Sequence, residues 1–154
     1  MVVRNLEEEK DMYFADGGHP GFNVPLDTGC FEDWYVEFDE EKPLKRFLFT
    51  DTCFQTGNTE PYELENGKIL RLRHDLFDND ALFFKDMSRA VTLKSDKSKK
   101  YVRVEYPYMP YLGLWHAVKK PAPYVCIEPM NGLPSFDGKV DDLKTKSDMV
   151  KLAP

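Results

Sequence analysis

The sequence predicts an all-β domain, a sandwich or barrel of roughly ten short strands. Three observations lead there. Helical periodicity is nearly absent from the 154 residues, whereas short alternating or apolar runs recur throughout. Aromatic residues make up 14% of the chain, a composition that favours strands. Turn signals punctuate the runs, among them "ENGK" at 65–68 and "DND" at 78–80.

In chain order the runs are "MVVRN", "DMYFA", "DWYVEF", "RFLFTDTCF" and "KILRLRH", then "ALFFK" and "RAVTLKS". "KYVRVEY", "YLGLWHAV" and "PYVCIEP" complete the series. In "YVRVEY", Val102 and Val104 fall on one face and Arg103 and Glu105 on the other, as in a half-solvated strand. "RFLFTDTCF" and "YVCIEP" are apolar on both faces, as strands covered on both sides are. Pro129 is expected to end the latter, because proline offers no ladder donor. The tail "VDDLKTKSDMVKLAP" predicts one helical turn before a last short strand. No repeat, linker or low-complexity region interrupts the chain, whose length suits one domain with a real core.

Hydrophobic content of 42% and charged content of 31% are ordinary for a soluble globular protein. A net charge of −6 argues against nucleic acid, whose binders carry a basic footprint. The one dense basic run, "KSDKSKK" at 94–100, reads as a solvated hairpin loop. No apolar run approaches membrane-spanning length, and "MVVRNLEEEK" is too charged for a signal peptide. Cys30, Cys53 and Cys126 are odd in number and lack metal-ligand spacing, so they read as reduced cysteines of a cytoplasmic protein.

Chemistry can sit in three places. The turn "ADGGHPGFNVP" needs glycine, proline and asparagine for backbone reasons, but it does not need His19. Gly17 and Gly18 are expected to bend with positive φ and expose the imidazole. Glu128 closes an apolar run, where partial burial would raise its pKa and improve it as a general base. Asp80 lies in the turn before "ALFF". Each also has a bland reading: a loop histidine is more often incidental, a strand-end acid solvated, and Asp80 a turn former beside Asn79. His74 and His116 show no metal-like spacing, and there is no phosphate loop, nucleophile elbow or CxxC. The residues alone reach a β-domain with one candidate His/Glu acid-base pair. Its many aromatics also suit a cleft for sugars or other flat, apolar-faced ligands.

"GGHPGFNVPL" resembles the catalytic-histidine segment of the aldose 1-epimerase (galactose mutarotase) family, in its bacterial LacX-like branch. "LRLRHDLFDNDALFFKDMSRAVTLKS" and "YMPYLGLWHAVKKPAPYVCIEPMNGLPS" resemble the segments that follow there, in the same order and across nearly the whole chain. The resemblance implies a β-supersandwich and a cofactor-free, metal-free interconversion of sugar anomers. By motif, His19 matches the general acid and Glu128 the general base. Asp80 matches the acid that binds sugar hydroxyls, and Asn23, Phe22 and Trp115 are expected around the sugar.

Opening a pyranose needs a proton on the ring oxygen while another leaves the anomeric hydroxyl, and each such transfer is worth about 10²–10⁴-fold. The resemblance covers only the C-terminal half of a family chain. Residues 1–154 are therefore expected to form the later part of one such domain, with the N-terminal strands and further sugar-binding Arg and His residues absent. Expected partners are a glucose- or galactose-type monosaccharide and, through uncovered strands, a second copy or a complementary N-terminal chain. Two rivals remain: a non-catalytic or weakly active sugar-binding protein, and a hexose-6-phosphate epimerase, for which only Arg71, Arg73 and Lys85 offer a phosphate cradle.

Overall fold

The structure, a computed structural model, describes residues 2–154. Its strands in chain order are β1 (Met12–Phe14), β2 (Gly21–Asn23), β3 (Trp34–Phe38), β4 (Leu44–Phe49), β5 (Gln55–Tyr62) and β6 (Ile69–Arg71). Then follow β7 (Leu82–Lys85), β8 (Ala90–Ser95), β9 (Val102–Glu105), β10 (Tyr111–Trp115), β11 (Tyr124–Met130) and β12 (Val150–Leu152). Helix is confined to two single 3₁₀ turns, Phe31–Asp33 and His74–Phe77. No helix among the described residues is long and apolar enough to cross a membrane.

The strands pair antiparallel into a six-stranded sheet (β2-β11-β10-β7-β4-β5), a four-stranded sheet (β6-β3-β8-β9) and the short ribbon β1-β12. Strand alternation then assigns the faces. Leu82 and Phe84 of β7, Leu112 and Leu114 of β10, and Val125 and Ile127 of β11 are almost fully buried. They share one core cluster with Trp34, Val36 and Phe38 of β3 and with Val91 and Leu93 of β8. Phe38 meets Phe84 edge to face at 6.3 Å, one contact that locks the two sheets together. The product is a β-sandwich whose larger sheet turns its other face toward the site.

Several boundaries differ from the sequence reading, each for a local reason. Residues 2–5 of "MVVRN" form no strand, and Met1 lies outside the described residues. β5, "QTGNTEPY", carries no apolar signal because it is the edge of the large sheet, where Pro61 costs no ladder bond. "RFLFTDTCF" is strand only to Phe49; Cys53 (φ +63°) then turns the chain, with the Thr50 N–H donating to the Phe54 carbonyl at 2.8 Å. β11 does not end at Pro129 but runs on to Met130. Pro129 is tolerated because β2 pairs only with residues 124–126, leaving that side of β11 free of a strand. The tail does form a single turn, Lys146 N–H donating to the Asp142 carbonyl at 2.9 Å, before β12. The basic run caps the β8–β9 hairpin, with Lys97 paired to Asp33 at 2.7 Å.

Candidate active site

On β11, Val125 and Ile127 enter the core, so Cys126 and Glu128 must face the opposite side of the large sheet. Gly113 of β10 lies directly opposite Glu128. A Cβ on Gly113 would come within 3.3 Å of the Glu128 Cβ and 2.8 Å of Phe83 Cε1, so glycine makes the room for both side chains.

The His19 turn is fastened to this same strand. The Gly18 N–H donates to the Pro129 carbonyl at 2.9 Å, and the Ile127 N–H donates to the Pro20 carbonyl at 3.2 Å. Neither Gly17 nor Gly18 adopts positive φ, which corrects the sequence reading. Gly17 serves close approach instead: a Cβ there would fall 2.8 Å from the Cβ of Met130.

This places His19 Nε2 3.0 Å from Glu128 Oε1, with side-chain exposures of 62% and 7%. The two groups are in ion-pair contact but not aligned as a hydrogen bond, so the buried Oε1 has no hydrogen-bond partner among the described residues. Burial raises the Glu128 pKa, His19 partly offsets it, and the charge of Asp80 adds to it.

Trp115 ends β10 beside this pair, its ring edge-on to His19 with centroids 5.7 Å apart. Its Nε1–H donates to Asp80 Oδ1 at 2.8 Å, and Cys53 Sγ lies 3.4 Å from Asp80 Oδ2 as a weak donor. Asp80 itself holds φ +75°, a conformation aspartate tolerates better than most residues. His19, Glu128, Asp80 and Trp115 share a cavity of about 560 Å³ with Phe49 and Phe83, whose rings lie 5.0 Å apart. That volume falls in the range of small-molecule sites.

No protein-family model matches the chain. LacX from Lactococcus lactis subsp. lactis, in its plasmid and chromosomal forms, is 38% identical over 99% of this chain and 52% of its own length. The chain resembles LacX. A galactose mutarotase-related enzyme from Lactobacillus acidophilus superposes with a TM-score of 0.82 at 34% identity, over 95% of this chain and 49% of that one. A galactose mutarotase-like protein from Lactobacillus casei gives 0.82 at 31% identity, over 94% of this chain and 50% of that one. The chain thus spans about half the length of the relatives it matches, and its sandwich is a partial galactose mutarotase-like one.

Within this LacX-like chain, two of the sequence candidates stand apart from the cavity. Phe22 is opposite Val125, on the core face, and packs against the core. Asn23 is opposite Tyr124, beyond the cavity wall. Sequence reasoning also missed contributors. Phe83 alternates with the buried Leu82 and Phe84, so parity in "LFF" was the available signal for its outward face. Cys126 was read as lacking metal-ligand spacing, yet one donor atom each from His19, Cys126 and Glu128 lie within 4.8 Å of one another. His74 and His116, likewise without suggestive spacing, touch at 3.0 Å through Nδ1 and Nε2.

Proposed function

We propose that this chain carries the acid-base pair of an aldose 1-epimerase and interconverts the α and β anomers of an aldohexose. The observation that supports this most is the exposed His19 imidazole 3.0 Å from the buried Oε1 of Glu128, which has no hydrogen-bond partner, on the wall of an aromatic-lined cavity. The ring oxygen and the anomeric hydroxyl of a pyranose are both bonded to C1. An acid and a base close to one another can therefore serve both atoms, and His19 and Glu128 are close to one another.

In the reaction, His19 bearing a proton gives it to the ring oxygen as the C1–O5 bond breaks. Glu128 takes the proton of the anomeric hydroxyl, and the C1 carbonyl forms. Rotation about C1–C2 presents the other face; closure returns the proton from Glu128 to the new hydroxyl and the ring-oxygen proton to His19. Burial of Glu128 favours its protonated form and so strengthens it as a base. Asp80 holds the Trp115 indole and offers its remaining lone pairs to sugar hydroxyls. Phe83 and Phe49 suit the apolar face of the ring. No step calls on a metal or nucleotide, so activity should survive EDTA.

Polarimetry of freshly dissolved α-D-glucose and α-D-galactose tests the reading directly. Acceleration of mutarotation by the purified chain supports it, and a rate equal to buffer overturns it for this chain on its own. A second reading, sugar binding with little turnover, draws on the chain's half-length relation to its relatives. Calorimetric binding of the same sugars without polarimetric acceleration would favour it. Light scattering on that sample would show whether the chain self-associates. Hexose 6-phosphates are disfavoured, because Arg71, Arg73 and Lys85 are paired to Glu65, Asp75 and Asp148 away from the cavity, and Arg46 in its wall is paired to Glu60 (2.5 Å).

A further inference from the structure

We infer that His19, Cys126 and Glu128 form a binding site for a thiophilic divalent cation of the Zn²⁺ type, seated on the acid-base pair itself. Register brings the three donors together. Cys126 and Glu128 are two residues apart on β11 and so share a face, while the His19 turn is pinned over that strand by the Gly18 and Pro20 backbone bonds. Opposite Cys126 stands Gly21, which has no side chain to lie over the thiol. One atom from each residue lies within 4.8 Å of the others. Ligands sharing one tetrahedral Zn²⁺ sit roughly 3.3–3.8 Å apart, so closing the set takes about 1 Å of movement. The exposed imidazole of His19 is free to supply that movement.

An independent feature also points to a ligand. Glu128 is only 6% exposed, and its Oε1, in ion-pair contact with His19 Nε2 at 3.0 Å, accepts no hydrogen bond among the described residues. A buried carboxylate oxygen without a donor is costly, and a bound cation would satisfy it. The donor set of thiolate, imidazole and carboxylate selects Zn²⁺ and Cd²⁺ over Mg²⁺ or Ca²⁺, which prefer oxygen alone. Three protein ligands leave a fourth position for water, and His19 and Glu128, which line the cavity, would give the ion its way in to the buried Cys126. Binding forms the metal–sulfur bond as the Cys126 thiol releases its proton to solvent. Because the metal occupies His19 and Glu128, it would block proton transfer; that consequence alone rests on the mutarotase reading.

The test uses the whole chain with Cys30→Ser and Cys53→Ser, which removes the two exposed thiols and leaves Cys126 as the sole sulfur ligand. Titration with Cd²⁺, followed by the ultraviolet thiolate-to-metal band, should show one ion per chain. Competition should then rank Zn²⁺ well above Mg²⁺. Adding Cys126→Ala should abolish the band. His19→Asn, in an exposed turn where folding is not at stake, should weaken affinity by at least the ~10–100-fold typical of even outer-shell partners. No thiolate band in the double variant, or Zn²⁺ affinity unchanged by His19→Asn, would overturn the site. All these readouts are independent of turnover, so an inactive chain that binds Cd²⁺ through Cys126 counts against the epimerase reading and not against the metal site.

Discussion

His19 and His116 each lie 3.0 Å from a titratable side chain, but in opposite surroundings. His116 is fully buried, packed against Phe31 and Phe77. With its Nδ1–H donating to the Ala117 carbonyl at 2.9 Å, its Nε2 accepts the Nδ1–H of His74. Every polar atom of that imidazole is used. His19 is mostly exposed and is in ion-pair contact with a cavity-wall oxygen that accepts no hydrogen bond among the described residues. A buried histidine with all its bonds made holds a fold together. The exposed one, beside a carboxylate in a cavity wall, is the one we propose moves protons.

The sharpest way to break this contrast is to neutralise the open pair. Glu128→Gln and His19→Asn should each lower kcat by about 10²-fold or more, with smaller effects on KM. Polarimetric kcat values equal to the wild type would remove the acid-base assignment. At the closed pair the expected loss is in stability. His116→Ala should cost roughly 2–4 kcal/mol, from an aromatic-sized cavity and lost hydrogen bonds, read as a lower urea midpoint.

The two sites should also answer oppositely to pH. Burial lowers the His116 pKa, with the Ala117 bond opposing and His74 assisting. Below 6.5, the ordinary histidine value, the unfolded chain then takes up a proton that the folded chain refuses. This contribution is complete above pH 6.5 and is lost as pH falls through the lowered folded value; the loss should vanish in His116→Ala. Glu128 behaves in reverse. Its folded pKa is raised above 4.5, so stability falls as pH rises from 4.5 through that raised value. Glu128→Gln should therefore melt slightly above the wild type at neutral pH, while the two converge below pH 4.5, as calorimetry would show. A variant less stable at neutral pH would mean that the His19 contact outweighs the burial cost.

The two pairs also differ in how far the sequence disclosed them. Strands with an apolar or alternating signature, such as β3, β7, β9 and β11, could be read directly, because burial on a sandwich imposes period two. β2 and β5 could not. Both are edge strands of the large sheet, where polar residues, Gly57 and Pro61 cost little, so no apolar pattern marks them. His19 and Glu128 were each visible as oddities, but their pairing depends on the β2–β11 register and the turn bonds, which no local pattern encodes. The residues alone offered them as a candidate pair, and the resemblance added which was acid and which base. The same long-range register hid Cys126 beside them and His74 against His116. Gly17 was noticed for the wrong reason, since close approach and positive φ leave the same letter in a sequence.

The smallest effect expected concerns how Asp80 acts on the open pair. It accepts from Trp115 Nε1 at 2.8 Å, and Trp115 in turn abuts His19 at 5.7 Å. If Asp80 works only by steadying the indole, then Trp115→Phe and Asp80→Asn disrupt one and the same interaction. Each should cost about 0.5–1.5 kcal/mol, or roughly 2–10-fold in kcat/KM, and the double variant no more than the larger single one. If Asp80 also binds a sugar hydroxyl, as proposed above, Asp80→Asn should still raise KM in the Trp115→Phe background. The cycle therefore separates a positioning residue from one that touches substrate. Full additivity would support the direct sugar contact, and complete coupling would confine Asp80 to holding Trp115 against the acid.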